Sequence, residues 1–213
     1  METKELNNNQ IVVGLDIGTT KVSIIVGLKN KFNKIEILST GKAPSNGVSR
    51  GIVANIDKTV ESIKIALDQA QSKIDFEIKD VIVGIAGQHI KSLQHRGQIV
   101  RDNIEIEIGQ DDIDKLKDNM FKLITIPGEE VIHVIPQEYT VDGIDGIQDP
   151  KGMAGVKLEA NFHVITAQVG AVRNIMRCVE KTGLNPKELI LEPFASAVAV
   201  SYTHLRAHET RIH

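Results

Sequence analysis

Two strongly apolar runs near the start of the chain, residues 11–17 and 22–28, are separated by only four residues. A parallel crossover needs about a dozen residues or more, so these two runs can pair only as an antiparallel hairpin. Both runs are rich in Ile and Val, which favour strands. A third run at 34–40 extends the hairpin. The sequence therefore predicts a three-stranded antiparallel start.

The rest of the chain alternates between strand-like and helix-like patterns. Apolar residues at helical spacing predict a helix over 57–73 and a second one behind the acidic turn of Asp111 and Asp112. The remaining predictions, in chain order, are strands at 81–86, at 90–101 with a break near Gly97, and at 130–141 with Pro136 at a bulge or an edge position, a long loop at 142–155, a strand or strand pair at 156–168, a helix around 172–179 closed by Gly183 in the left-handed conformation, a strand at 188–191, and a helix from Pro193 to Val200.

Composition limits the class of protein. The chain has 213 residues with 25 basic and 28 acidic side chains, a net charge of −3, which leaves no broad basic field for nucleic acid. The single cysteine, Cys178, suits a reducing compartment. Residues 1–10 are polar and lack the apolar segment of a secretory signal, and no stretch reaches the roughly 18 apolar residues of a membrane span. We expect a cytoplasmic protein with a disordered arm at residues 1–10.

The hairpin turn carries the strongest chemical signal, Asp16-Ile17-Gly18-Thr19-Thr20-Lys21. Gly18 permits close approach of the backbone, successive amides form an anion-binding concavity, and the hydroxyls of Thr19 and Thr20 add donors. Lys21 adds a positive charge, and Asp16 is suited to Mg²⁺. Asp, Gly and Thr are also ordinary turn residues, so the hexapeptide alone is equally consistent with a plain hairpin.

A second signal is Leu191-Glu192-Pro193-Phe194-Ala195-Ser196-Ala197, where a strand end runs into a helix of small residues. Glu192 is placed to face the hairpin turn across a cleft, although an acid at a helix N-terminus has a simpler explanation in the helix dipole.

The other candidate residues are expected to be structural. His89, His95, His133 and His163 are predicted as surface strand residues, Cys178 as a small core residue, and Asp111 to Asp118 as a solvated helix face. His204 and His208 have metal-ligand spacing, but no third ligand accompanies them. Residues 201–213 lack any apolar period and are expected to be an unstructured, non-native-looking tail.

The hairpin motif at 16–21 comes first, and the strand-to-helix motif at 191–197 follows roughly 170 residues later. This pair of motifs in this order resembles the actin, Hsp70 and sugar-kinase superfamily. Within it, the chain resembles the FtsA family of bacterial cell-division proteins. The matching stretches are residues 13–21, 51–57 (Gly-Ile-Val-Ala-Asn-Ile-Asp), 132–139 (Ile-His-Val-Ile-Pro-Gln-Glu-Tyr), 152–160 (Gly-Met-Ala-Gly-Val-Lys-Leu-Glu-Ala) and 191–193. The stretches at 132–139 and 152–160 are the specific ones, because general actin-like proteins lack them.

The resemblance implies an α/β, actin-like (ribonuclease H-like) subdomain at 11–86 and 165–200, interrupted by a small SHS2-type α/β module at 87–164. It implies that Gly18, Thr19, Thr20 and Lys21 contact the phosphates of ATP, that Asp16 lies by Mg²⁺, and that Glu192 lies by the catalytic water. ATP hydrolysis is expected to be weak at most, which favours a nucleotide-dependent scaffold over an enzyme.

The resemblance also implies partners. Family members self-associate into filaments, tether FtsZ filaments to the inner face of the cell membrane at the division septum, and recruit late division proteins, here through residues 87–164. The match ends at Val200, so the resemblance implies the N-terminal half of such a protein, with the FtsZ-binding and membrane-binding parts beyond it and weak ATP binding by the half alone. Two alternatives stay open: a PilM-like pilus-assembly protein, and a phosphotransferase related to sugar kinases.

Overall fold

The computed structural model of the chain describes residues 11–32, 34–102, 106–123 and 127–192. These form two compact units, one from residues 11–89 with 171–192 and the other from residues 90–170. The predicted helix at 193–200 and the predicted tail at 201–213 lie outside the described residues.

The described elements are, in order, β1 (Ile11–Ile17), β2 (Lys21–Lys29), β3 (Ile35–Pro44), β4 (Val48–Ser49), β5 (Ile52–Val53), α1 (Ile56–Gln71), β6 (Asp80–Ile85), β7 (Ile90–Val100), α2 (Gln110–Leu123), β8 (Glu129–Val141), β9 (Ile144–Ile147), β10 (Lys157–Gln168), α3 (Val169–Glu180) and β11 (Asn185–Leu191).

The first unit is built on a five-stranded sheet in the order β11-β6-β1-β2-β3. β1 pairs antiparallel with β2, and β2 with β3, which confirms the predicted three-stranded start. β6 pairs parallel with both β1 and β11. Alternate β1 residues Val13, Leu15 and Ile17 are buried on one face, as the pattern of a half-buried strand requires.

Helix α1 covers part of this sheet. Asn55 caps its N-terminus, where the Asn55 side chain accepts a hydrogen bond from the amide of Lys58 at 3.0 Å. The predicted helix 57–73 is confirmed at Ile56–Gln71. Its small buried residue Ala66 lies against Gly41 of β3 so closely that a Cβ on Gly41 would collide with the Ala66 carbonyl group. The absence of a side chain at Gly41 therefore sets the distance between helix and sheet.

The second unit is a four-stranded antiparallel sheet in the order β7-β10-β8-β9, with α2 packed on one face. The core between them includes Leu116 and Met120 of α2 and Leu158 and Phe162 of β10. Phe162 pairs with Pro136 at a register shift in β8, so the predicted bulge at Pro136 is confirmed.

A buried arginine closes one end of the second unit. Arg101 donates from Nε to Asp112 Oδ2 at 3.1 Å, from Nη1 to the Gly155 carbonyl at 2.8 Å, and from Nη2 to the carbonyls of Ile106 at 2.6 Å and Glu107 at 2.9 Å. Asp112 therefore holds a structural partner, and the prediction of a purely solvated acidic face is wrong at this residue.

The predicted long loop at 142–155 is wrong in its first part. Residues Ile144–Ile147 form β9, which pairs with β8 after a tight turn in which Asp142 and Gly143 both have positive φ, 47° and 86°. That combination is typical of a two-residue hairpin turn. Gly183 has φ of 85°, which confirms the predicted left-handed end of α3. None of the helices in the described ranges is long and apolar enough to cross a membrane.

Candidate functional site

The site lies at the carboxyl ends of three parallel strands of the first unit. Asp16 is near the end of β1, Gly84 is near the end of β6, and Glu192 follows β11 directly. Because the three strands run parallel in the order β11-β6-β1, their carboxyl ends meet at one edge of the sheet. Ligands of α/β proteins bind at this kind of edge.

Gly84 brings the two carboxylates together. It pairs with Asp16 of β1 on one side and with Ile190 of β11 on the other. A Cβ at this position would lie 3.5 Å from Cγ of Glu192 and 3.9 Å from Cα of Asp16. With no side chain on the middle strand, the side chains of Asp16 and Glu192 close over it and share a hydrogen bond.

This arrangement changes the chemistry of Glu192. Burial, then the charge of Asp16, then the hydrogen bond with Asp16 raise the pKa of Glu192 to about 7. Glu192 is therefore present in both its protonated and its ionised form near neutral pH. Asp16 Oδ1 is buried without a hydrogen-bond partner among the described residues, so one acceptor oxygen is left for a cation or a donor.

The turn between β1 and β2 lies beside this pair. The amide of Gly18 donates to the carbonyl of Lys21 at 3.0 Å, and this bond closes the turn. Thr19 Oγ1 accepts from the amide of Gly51 at 3.2 Å, which ties the turn to the loop between β4 and β5. Gly51 has φ of 77°, and a Cβ there would collide with the Ala86 carbonyl. Glycine is therefore required at Gly51 both by conformation and by space.

Two adjoining clefts contain most of the predicted site residues. A cleft of about 500 Å³ is lined by Gly18, Thr19 and Glu192. A cleft of about 630 Å³ over the open face of the sheet is lined by Asp16, Lys21 and Glu192. Glu192 belongs to both clefts, so four of the other five predicted residues lie around it.

Thr20 is the sixth, and it lines neither cleft. Its carbonyl accepts a hydrogen bond from the amide of Ser45 at 3.1 Å.

The structure adds residues that the sequence reasoning missed. Arg50 and Gln88 line the first cleft, and Arg50 brings a cation to it beside Gly18 and Thr19. Arg50 has φ of 53°, an uncommon conformation for a residue other than glycine. Arg50 could have been noticed in the sequence because it directly precedes the Gly51–Asp57 stretch that matches the family.

His89 corrects a prediction. The sequence placed it on the surface, but it is fully buried, and neither ring nitrogen has a hydrogen-bond partner among the described residues. Burial lowers the pKa of His89. His95 is exposed, as predicted, and Cys178 is buried in α3 as predicted.

No group of three or more His, Cys, Asp or Glu that could hold a metal ion occurs within the described ranges. Asp16 and Glu192 form a pair only, but the unpartnered Asp16 oxygen fits Mg²⁺, which takes one or two carboxylates together with water and phosphate oxygens.

Known proteins are similar to this chain in sequence and in fold. Residues 87–166 match the family described as the SHS2 domain inserted in FTSA. Cell division protein FtsA of Pseudomonas aeruginosa is 40% identical over 197 residues, which cover 92% of this chain and 46% of that protein. FtsA of Bacillus subtilis is 35% identical over 195 residues, covering 91% of this chain and 44% of the relative.

A solved structure, the PilM-PilN type IV pilus biogenesis complex, superposes with a TM-score of 0.55 at 17% identity, over 86% of this chain and 48% of that chain. The predicted α/β, actin-like fold with an SHS2-type insertion is thereby confirmed. By sequence this chain is similar to cell division protein FtsA over nearly all of its own length, and it spans a little under half the length of the curated relatives that it matches.

Proposed function

We propose that the first unit forms one wall of an ATP site. Gly18, Thr19, Thr20 and Lys21 would contact phosphate groups, Asp16 would lie beside Mg²⁺, and Arg50 would add a second positive charge. The observation that carries this proposal is the meeting of Asp16 and Glu192 beside the closed turn at the carboxyl ends of three strands. ATP with Mg²⁺ would supply the negative charge and the cation that this set of groups can hold.

The role of Glu192 follows from its protonation. A carboxyl group with a pKa of about 7 exists in both forms near neutral pH, so Glu192 is able to accept a proton from a water molecule positioned beside phosphate. Asp16 is the other carboxylate among the described residues that line the two clefts. We therefore propose a nucleotide-dependent scaffold with at most weak ATPase activity.

In the whole protein, we propose a cytoplasmic division scaffold that forms filaments and tethers FtsZ filaments to the inner face of the membrane at the septum. Support comes from the FtsA relatives, which match over nearly all of this chain. We propose that FtsZ tethering and membrane attachment use parts of these relatives that the present chain does not match. Sequence identity to the FtsA relatives favours this function. A PilM-like role is supported only by similarity of fold.

Nucleotide binding is best tested in a chimera in which residues 11–192 replace the matching part of P. aeruginosa FtsA. Binding of a fluorescent ATP analogue should weaken by about tenfold for Lys21→Ala and for Arg50→Ala, because each removes a cation from the phosphate region. Lys29→Ala is the matched control, since Lys29 is an exposed lysine at the other end of β2. Equal affinity in the unsubstituted chimera and in a chimera carrying both substitutions would contradict the assigned site.

Residues 87–164 are proposed to carry contacts to late division proteins. The segment contains a core of its own, built from α2 and the sheet of β7, β10, β8 and β9. Residues 87–168, which include all of β10, should therefore give a dispersed NMR spectrum when expressed alone. A random-coil spectrum would argue against independent folding, and unimpaired recruitment of every late division protein after deletion of the segment would argue against docking.

A further inference from the structure

Strand β3 forms one edge of the five-stranded sheet, and side chains from the α1 region bond to backbone groups in its C-terminal half. In the C-terminal half, the amide of Lys42 donates to Gln69 Oε1 at 3.1 Å, and Lys73 Nζ donates to the carbonyl of Thr40 at 2.8 Å. Side chains of the helix region thus occupy backbone groups that face away from β2. Among the described residues no side chain does the same for Ile35 or Ile37.

The direction of these backbone groups follows from the hydrogen bonds of the hairpin. The amide of Asn30 donates to the carbonyl of Lys34 at 2.8 Å, and hydrogen-bonded and non-bonded pairs alternate along an antiparallel ladder. The Leu28–Glu36 pair is then a bonded pair, so the N–H and C=O groups of Ile35 and Ile37 point outward from the sheet. In the C-terminal half of β3 the outward-facing residues are instead Thr40 and Lys42, which have even numbers. The register shift after Val26 causes this switch from even-numbered to odd-numbered outward-facing residues.

The same half-edge exposes large apolar side chains. Ile35 is 60% exposed, Ile37 is 63% exposed, and Phe32 in the adjoining turn is 69% exposed. Exposed apolar residues on an unpaired edge favour the addition of another strand.

The charged residues on this edge indicate which molecule supplies the added strand. We propose that a second copy of this chain pairs with β3 antiparallel, across a twofold axis at Glu36. In this register Ile35 lies opposite Ile37 of the partner subunit, and the outward groups of these residues form four backbone hydrogen bonds between copies. The side chains of Ile35 and Ile37 from both copies then form one apolar cluster on the open face of the joined sheet.

The polar residues fit the same register. Lys34 lies diagonally across from Glu36 of the partner subunit, within reach of a long side chain, and symmetry makes this contact twice. The two Glu36 side chains lie directly opposite each other, which opposes pairing, but the two Lys34–Glu36 contacts offset that repulsion. The edge is thus complementary to itself in backbone hydrogen bonds, apolar side chains and charge.

Sedimentation equilibrium of the 213-residue chain tests this pairing. The interface is small, so concentrations up to about 0.5 mM are needed. The average mass should rise from 23.4 kDa towards twice that value. Ile37→Pro should weaken association about tenfold or more, because it removes an outward N–H from each copy while leaving the bonds to β2 in place.

Ile25→Lys is the matched control for this substitution. Ile25 is an exposed isoleucine on the same open face, but it lies on β2, away from the edge. Association should be unchanged in this variant. Equal loss in Ile25→Lys would show that the copies stack face to face, and it would overturn edge pairing.

A charge exchange separates a second copy from any other partner. Lys34→Glu and Glu36→Lys should each weaken association about threefold to tenfold, and the double variant should restore it, because both diagonal contacts re-form with opposite sign. Thermal unfolding of each variant checks that it is folded, and the charge variants decide the matter if Ile37→Pro fails to fold. The proposal is overturned by a constant mass of 23.4 kDa, or by a double variant that stays weaker than the original chain.

Discussion

Replacing Glu192 by Gln tests the central electrostatic feature of the site. Burial and the adjacent charge of Asp16 raise the pKa of Glu192 from 4.5 to about 7. Between these two pH values the folded chain keeps a proton that the unfolded chain has released. The stability contributed by the protonated carboxyl is therefore fully present below pH 4.5 and is lost as the pH rises through about 7.

The size of this loss has an upper bound. At about 1.36 kcal/mol per pH unit, the interval between 4.5 and about 7 corresponds to about 3.4 kcal/mol. Glu192 is only partly buried, so solvent screening reduces the expected effect to about 1–2 kcal/mol. Gln keeps the shape of Glu and can still donate to Asp16, but it never ionises. We expect Glu192→Gln to be more stable than the original chain by about 1–2 kcal/mol at pH 8 and equally stable near pH 4.5.

Urea unfolding followed by circular dichroism at several pH values measures this difference. Glu188→Gln is the matched control, because Glu188 is an exposed carboxylate on the same strand. Asp16→Asn should lower the pKa of Glu192 only in part, because burial is the larger cause of its elevation. An NMR titration of the Glu192 carboxyl carbon reads that pKa directly. Parallel stability curves for the original chain and Glu192→Gln from pH 5 to pH 8 would refute the reasoning.

Three further substitutions test the fold. Arg101→Met should destabilise the second unit by about 2–4 kcal/mol in urea unfolding, because it leaves the carbonyls and carboxylate around the guanidinium without a donor. Gly41→Ala should cost at least about 2 kcal/mol by the same assay, since the new methyl group meets the Ala66 backbone. His89→Leu should remove part of the stability loss on acidification below pH 6.5, because the depressed pKa of buried His89 makes the folded chain resist protonation.

Elements with strong local signals were predictable. The hairpin of β1 and β2 follows from two apolar runs with almost no chain between them, and α1 follows from apolar residues at helical spacing. The left-handed Gly183 was also predictable, because a glycine followed shortly by a proline is a common way to end a helix.

Elements that depend on tertiary contacts were not predictable. Residues 144–147 include one acid, Asp145, and one glycine, Gly146, both of which are uncommon in strands. The segment forms a strand because it pairs with β8. Arg101 and His89 resemble surface residues in sequence, yet both are buried, and one partner of Arg101 is the carbonyl of Gly155, 54 residues along the chain. Local pattern carries no information about such partners.

The candidate site shows the same division in a single pair of residues. Asp16 and Glu192 could each be selected from sequence because each ends a strand, yet their contact depends on β6 lying between β1 and β11. It also depends on Gly84, since a Cβ there would already be in van der Waals contact with Glu192 Cγ, and a side chain longer than Ala would take the space that Glu192 occupies. Sheet order and this glycine together allow the contact with Asp16 that, after burial, raises the pKa of Glu192, and neither can be read from the residues around Glu192. A substitution at Gly84 should therefore alter the chemistry of two carboxylates that lie on other strands.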